Sequence, residues 1–557
     1  MRDPVTFAFM TTNLQTASRN VTSVNPATGE VLGEFECTSE PEVQGAIARA
    51  HSAQSAWARL GVGRRIAILR EFQRLLYLDK SSVAQLITRE AGKPYVESLL
   101  TEVMVVLDTA RFLIENSYRL LRDEPVPHGN VALKTKSGRL IREPYGVVGI
   151  ISPWNYPFSI PATETLGALV AGNAVVLKPS EFTSLCANKL KSLLHASGVA
   201  KEIFQVIPGN AATGAALIAP AKPAGPCTSI DKLIFTGSVS TGEQIAQAAA
   251  ARLLPVVLEL GGKDPMLVLE DADVDVAASG AVWGAFVNAG QACLSVERCY
   301  VHRSLYQSFL QACVRKTKRL RVGDGMDPET DVGPMIHERQ LLNVESQVDE
   351  ARLQGARVLT GAKRLPALGP NFYEPTVLAD VKPTMRIMRE ETFGPVLPIM
   401  PFASDDEAID LANDSNYGLA ASVWTRNRAR GELMARRIDT GTVMVNDTVS
   451  CFGISEAPHG GVKASGIGRS HGRLGLEEMV RIKYLDEERL PGMEKLWWYG
   501  YGKAFTRQME GFLDMQFAQG WVRRFQGATR AAGVLMGKVQ INRNQSEEAN
   551  DKLKFRS

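Results

Sequence analysis

No apolar run in the sequence approaches the roughly 18 residues of a membrane span, so no transmembrane helix is expected. The first twenty residues, MRDPVTFAFMTTNLQTASRN, hold no long apolar core and few arginines. They read as neither a signal nor a transit peptide. Cysteine is sparse. The seven at 37, 186, 227, 293, 299, 313 and 451 are scattered, odd in number and without CxxC spacing. That argues against a disulfide framework or a zinc site, leaves no metal expected, and implies a reducing, cytoplasmic setting. An excess of one charge is missing too. The formal net charge is +3 over 557 residues, which gives no reason to expect nucleic acid as a partner.

What remains is an ordinary globular composition on a chain too long for one simple core, so two or three domains are expected. From about 41 to 121 the apolar residues recur at helical period. Residues 125–146, PVPHGNVALKTKSGRLIREPYG, alternate in polarity and read as antiparallel strands. Short apolar runs (GVVGIIS, AVVLK, FQVIPG, DKLIFTG, PVVLELGG) then alternate with helical stretches. This is the pattern of a parallel sheet covered on both faces. Residues 262 to about 465 repeat it, so two α/β domains in series are expected.

In open parallel sheets, ligands sit at the carboxyl ends of strands. Four loops follow such ends: SPWNYP (152–157), KPSE (178–181), FTGSVSTG (235–242) and LELGGK (258–263). Gly237 and Gly242 flank the start of an Ala-rich helix whose backbone N–H groups could hold a pyrophosphate. The spacing is neither GxGxxG nor a P-loop, and a Gly-rich turn alone is more often just a turn than a phosphate site. Lys178 could donate to ribose hydroxyls, and Glu181 could accept from a 2′-hydroxyl. Equally, Ser180 could cap a helix whose dipole Glu181 complements. Cys293 lies in FVNAGQACLS, where a thiol is either a small core residue or a nucleophile.

Taken together with Glu259 and Cys293, these loops resemble the NAD(P)-dependent aldehyde dehydrogenase superfamily over about residues 20–488. Eight motifs fall in family order: PWNYP, KPSE, FTGSVSTG, LELGGK, GQACLS, EETFGPV (390–396), NYGLAASVWT (416–425) and GGVKASGIGR (460–469). The resemblance implies an α/β fold with a Rossmann-type cofactor domain (1–124 and 146–261) and an α/β catalytic domain (262–465). It also implies a small β oligomerisation arm (125–145 and 480–488), followed here by an aromatic and basic extension (489–557). It assigns Cys293 as nucleophile, Glu259 as hydrolytic base, and Asn155 with the Cys293 N–H as oxyanion donors. Ile151, Trp154, Lys178, Ser180, Glu181, Gly237, Ser238, Gly242, Glu391 and Phe393 would bind the cofactor, expected to be NAD, with NADP as the alternative. The reaction implied is oxidation of an aldehyde to an acid through a cysteine thiohemiacetal and a hydrolysed thioester. A homodimer or homotetramer is implied.

Rival readings stay open on the residues. A CoA-acylating variant would dispense with the base, so Glu259 counts against it. A non-enzymatic scaffold on the same fold would not need Cys293, Glu259 and Asn155 together. A cysteine hydrolase would want an activating histidine. Of the seven histidines only His459 falls in a matched loop, and the family gives it no base role. Cys37, Cys186, Cys227, Cys299 and Cys313 read as packing.

Departures from the family concern the substrate. PHGG stands where relatives often have Pro-Phe-Gly-Gly, so His459 replaces an aromatic. Thr163 and Val287 align with positions that are bulky aromatics in many relatives, while Tyr156 and Phe452 keep the pocket partly aromatic. No arginine occurs in NYPFSIPATETLG, where relatives acting on succinate semialdehyde carry one. Glu164 stands where many relatives have lysine. The expected substrate is an apolar, longer-chain or aryl aldehyde. Residues 496–533 carry ten large side chains, from Trp497 to Phe525, and Arg507, Arg523, Arg524 and Arg530. From Phe505 onward their spacing is close to one helical face, although glycines at 500, 502, 511, 520 and 527 weaken a continuous helix. Packing on the protein's own surface or on a partner subunit is the favoured expectation, and peripheral membrane contact the alternative.

Overall fold

The computed structural model describes residues 19–532, apart from 131, 132, 220–228, 493, 494 and 496. Cys227 and the charged end of the chain lie outside the described residues. The chain divides into two compact units, one from residues up to 122 and from 142 to 483, the other from 123–141 and 484 onward.

The first unit holds two large sheets. One has six strands in the order Gly466–Ile467, Val256–Glu259, Lys232–Thr236, Val147–Ile151, Ala174–Lys178, Phe204–Val206. All are parallel except Gly466–Ile467. Strand order reverses between Val147–Ile151 and Lys232–Thr236, which creates a crevice at their carboxyl ends. Central strands are buried on both faces, which is why AVVLK carries no alternation. Helix Ser159–Ala171 is buried all round, so its sequence is small and apolar without an amphipathic stripe.

The second sheet has seven strands, with Val296–His302 and Asp264–Val268 near its centre. Each sheet has its own apolar core. Helices Glu40–Arg59, Gly61–Leu78 and Lys80–Ala91 pack on the core of the six-stranded sheet. They are followed by a π-helical turn, Ser98–Val103, that runs into helix Met104–Leu120. A separate three-stranded sheet joins Glu124–Val126, Lys136–Pro144 and Val480–Glu488. Among the other cysteines, Cys186, Cys299 and Cys313 are buried, whereas Cys37 is only half-buried, contrary to its reading as core packing.

In the second unit, the segment after residue 500 forms two helices, Lys503–Phe517 and 521–532. Gly520, with φ of +91°, separates them. The sequence expectation of broken helicity is met at that turn.

Candidate active site

A cleft of about 740 Å³ opens at the reversal point of the six-stranded sheet. Trp154, Asn155, Ser180, Glu181, Gly237, Ser238, Glu259, Cys293, Glu391 and Phe393 line it. Ile151, Lys178 and Gly242 stand behind this wall and do not line it. Lys178 is buried, donates to the Pro179 carbonyl at 3.0 Å, and lies 3.6 Å from Glu181. Gly242 is where the Ala-rich helix meets its sheet, since a Cβ there would sit 2.5 Å from Leu260. Ser238 caps helix Val239–Ala250, accepting from the Thr241 N–H. A helix N-terminus, a tight glycine and hydroxyl groups together fit a dinucleotide pyrophosphate.

The cysteine loop is held in a strained form. Asn288 and Ala289 have φ of 52° and 55°, in the left-handed region. The Asn288 N–H donates to Glu97 at 2.9 Å, and its side-chain amide donates to the carbonyls of Asn155 and Gln291. Asn155 itself donates to the Gln291 carbonyl at 3.1 Å. An amide carries two N–H groups, so a second remains for the cleft that Asn155 lines. The glycines explain the close approach of the loops. A Cβ on Gly262 would lie 2.5 Å from the Cys293 carbonyl, and one on Gly261 would lie 2.5 Å from Glu391.

Residues that sequence reasoning missed fix these loops from behind. Lys93 and Glu102 form a fully buried ion pair at 2.6 Å. Glu102 accepts from the N–H groups of Phe158 and Ser159, while Lys93 donates to the Asn155 carbonyl. Lys263 and Glu297 form a second buried pair at 2.5 Å. Glu297 accepts from the N–H groups of Thr392 and Phe393, fixing the loop of Glu391. Phe393, also left-handed, meets Trp154 edge to face at 5.4 Å. Burial, with the Glu297 charge, pushes the Glu391 carboxyl up to about 8.

Glu259 is 5% exposed. Ser470 donates to its Oε1 at 3.0 Å, and its Oε2 has no hydrogen-bond partner among the described residues. An orphaned carboxylate oxygen on a cleft wall is costly unless it serves chemistry. Burial and then the nearby Glu164 carboxylate push Glu259 well above the usual range. Glu164 also shares Ser470, and burial raises it to about 7. His459 stands 3.7 Å from Glu259, but burial lowers it to about 3, so it is neutral there. The Cys293 thiol is pushed up by burial and by the carboxylates of Asp264, Glu391 and Glu259.

Cys293 also lines a second cavity of about 240 Å³, whose wall carries Leu100, Met104, Tyr156, Ile160, Trp283, Val287 and Phe452 and no charged residue. Thr163 and His459, expected on this wall, are absent from it. Thr163 turns back to donate to the Ile160 carbonyl, and His459 packs edge to face on Phe452 at 5.2 Å. Leu100 and Trp283, both exposed, and the buried Ile160 stand on this wall instead.

The sequence model of the Aldehyde dehydrogenase family matches residues 14–485. The chain is 38% identical to a 4,4'-diapolycopene aldehyde oxidase of Methylomonas sp., covering 90% of this chain and 92% of that one. It is 37% identical to a mitochondrial succinate-semialdehyde dehydrogenase of Oryza sativa subsp. japonica, covering 83% and 85%. Among solved structures, an NAD-dependent aldehyde dehydrogenase from Sinorhizobium meliloti superposes with a TM-score of 0.81 at 34% identity, covering 86% of this chain and 93% of that one. An E. coli NADP-dependent enzyme gives 0.79 at 34%, covering 84% and 95%. The chain therefore belongs to the aldehyde dehydrogenase family and is an oxidoreductase that uses NAD or NADP.

Proposed function

We propose that this enzyme oxidises apolar, longer-chain or aryl aldehydes to carboxylic acids, with NAD in preference to NADP, through a covalent thioester on Cys293. The observation that carries this reading is the place of Cys293 on the wall of both the polar cleft and the apolar cavity. An aldehyde seated in the cavity presents its carbonyl where the cleft begins.

The sulfur adds to the carbonyl carbon and forms a tetrahedral thiohemiacetal. Burial raises the thiol, so its proton leaves to water of the cleft as the sulfur attacks. The second Asn155 N–H and the Cys293 backbone N–H stabilise the developing oxyanion. A nicotinamide bound in the cleft would supply the acceptor for the hydride. Glu391 and Phe393 would hold its ribose and ring, Trp154 and Ser238 its pyrophosphate, and Glu181, paired with the buried Lys178, its second ribose. Water then attacks the thioester carbon while Glu259 takes its proton, and the sulfur departs with the bonding pair. In sum, aldehyde, oxidised cofactor and water give carboxylate, reduced cofactor and two protons.

The uncharged cavity wall supports an apolar substrate, because a buried carboxylate would lack a partner there. The relative named for an aldehyde of diapolycopene supports the same class. A match covering 90% of the chain must run past residue 485, where the family match ends. The test is reduced-cofactor formation from NAD or NADP along a chain-length series of aldehydes, beside succinate semialdehyde and with and without CoA. Cys293→Ala should abolish turnover, and Glu259→Gln should give a burst and then stall. Best activity on succinate semialdehyde, or substantial turnover by Cys293→Ala, would overturn the reading.

A further inference from the structure

The helical pair in the second unit is held together from within. A Cβ on Gly511 would lie 2.5 Å from Arg530 Cβ, and one on Gly527 would strike the Met515 backbone. Two glycines thus let the helices cross closely. Ala531 is buried at the crossing, and Arg530 pairs with Asp514 at 2.7 Å. Arg524 Nε donates to the Ala518 carbonyl at 2.8 Å, which closes the turn.

The turn itself is apolar and bare. Leu513, Phe517, Trp521 and Phe525 fall four apart along the chain around it, and their exposures are 52%, 70%, 80% and 66%. Val522 adds to them. Within the second unit these side chains are uncovered. Exposed arginines, Arg523 and Arg524, stand between Trp521 and Phe525. That arrangement decides between occupants. The core of a subunit interface is depleted of charge, and two buried guanidinium groups without carboxylates would cost more than the rings return. At a bilayer surface the same groups fit, with rings at headgroup depth and guanidinium groups on lipid phosphates. No helix among the described residues is long and apolar enough to cross a membrane, so the contact is peripheral.

We propose that the turn between helices Lys503–Phe517 and 521–532 docks the enzyme on an anionic membrane surface. The inference goes beyond the proposed substrate and uses no residue of the active site. The test is co-sedimentation of the full chain with vesicles of phosphatidylcholine alone and of equal parts phosphatidylcholine and phosphatidylglycerol. Preferential binding to the anionic vesicles is expected. Arg523→Gln with Arg524→Gln should weaken it at least ~10-fold, as should Phe517→Ala with Trp521→Ala and Phe525→Ala. Turnover of a short water-soluble aldehyde by each variant checks that the protein is folded, and light scattering gives its mass. No vesicle binding by the wild type would overturn the proposal. So would equal binding to neutral vesicles, or a fall in oligomer mass on removing the rings, which would make a second copy of the chain the occupant.

Discussion

The Lys93 ammonium reaches the main-chain carbonyl of Asn155 at 2.8 Å while it pairs with Glu102 at 2.6 Å, and both side chains are fully buried. Glu102 in turn accepts from the N–H groups of Phe158 and Ser159. One ion pair therefore fixes both ends of the loop that presents the Asn155 amide. Replacing Lys93 by Met leaves Glu102 buried and uncompensated, at a cost of about 3–5 kcal/mol of stability. A displaced Asn155 should also lower kcat by ~100-fold, with a smaller change in cofactor KM. Adding Glu102→Gln should recover much of the stability, measured by thermal unfolding, but not kcat.

The second prediction concerns proton transfer. Glu164 and Glu259 share Ser470, and the Glu164 charge is the second cause, after burial, that raises Glu259. Removing that charge by Glu164→Gln lowers the Glu259 pKa, so more of it is ionised at neutral pH. The acid limb of the thioester-hydrolysis rate should move to lower pH, yet stay above the ordinary carboxylate range because burial remains. The pH profile of single-turnover hydrolysis decides this. A variant that scales the whole profile without moving its limb would assign Glu164 a packing role only.

How much of this was legible before folding depends on where each residue sits in the chain. Glu259 ends strand Val256–Glu259, where ligands bind in open α/β sheets, while Cys293 and Glu391 lie in the loops before strands Val296–His302 and Val396–Phe402, which the motif order marked. The alternation of GVVGIIS and AVVLK with helical text gave the parallel sheets. Lys93, Glu97 and Glu102 were hidden because they come from the N-terminal helical region, where charges usually face water. Lys93 follows Gly92 and looks like a basic residue at a helix end. The π-turn Ser98–Val103 shifts the helical period, so the text gives no sign that Glu97 and Glu102 face inward. Thr163 was misplaced because alignment fixes a position on a helix, not the direction its side chain takes.

A third prediction concerns the cofactor. Glu181 lies on the cleft wall, and Lys178, 3.6 Å away, holds its carboxylate. A free 2′-hydroxyl can donate to that carboxylate, while a 2′-phosphate is repelled. Glu181→Gln removes the repulsion and leaves the Lys178 charge for the phosphate. The ratio of kcat/KM for NADP to that for NAD should rise by at least ~10-fold, about 1.4 kcal/mol. Steady-state kinetics with both cofactors check it, and an unchanged ratio removes Glu181 from the specificity determinants.

The last prediction concerns the apolar cavity. Val287 is 2% exposed and stands on its wall, with Trp283 from the preceding helix and Phe452 across from Tyr156. At about 240 Å³ the cavity holds a chain of several carbons, and each methylene buried there contributes about 0.8 kcal/mol. Val287→Phe fills part of this space while leaving Cys293, Asn155 and Glu259 unaltered. A short aldehyde, which needs only the space beside the sulfur, should keep kcat/KM within ~3-fold. The longest good substrate should lose ~100-fold, because its distal carbons lose their seat and must stay in water. Thermal unfolding guards against the alternative cause, since overpacking a tight site costs about 1–3 kcal/mol and would depress every substrate alike. A uniform loss across the series with a lowered Tm would show that Val287 supports the fold and does not measure chain length. A loss that grows with each added carbon, at unchanged Tm, identifies the cavity as the aldehyde's own.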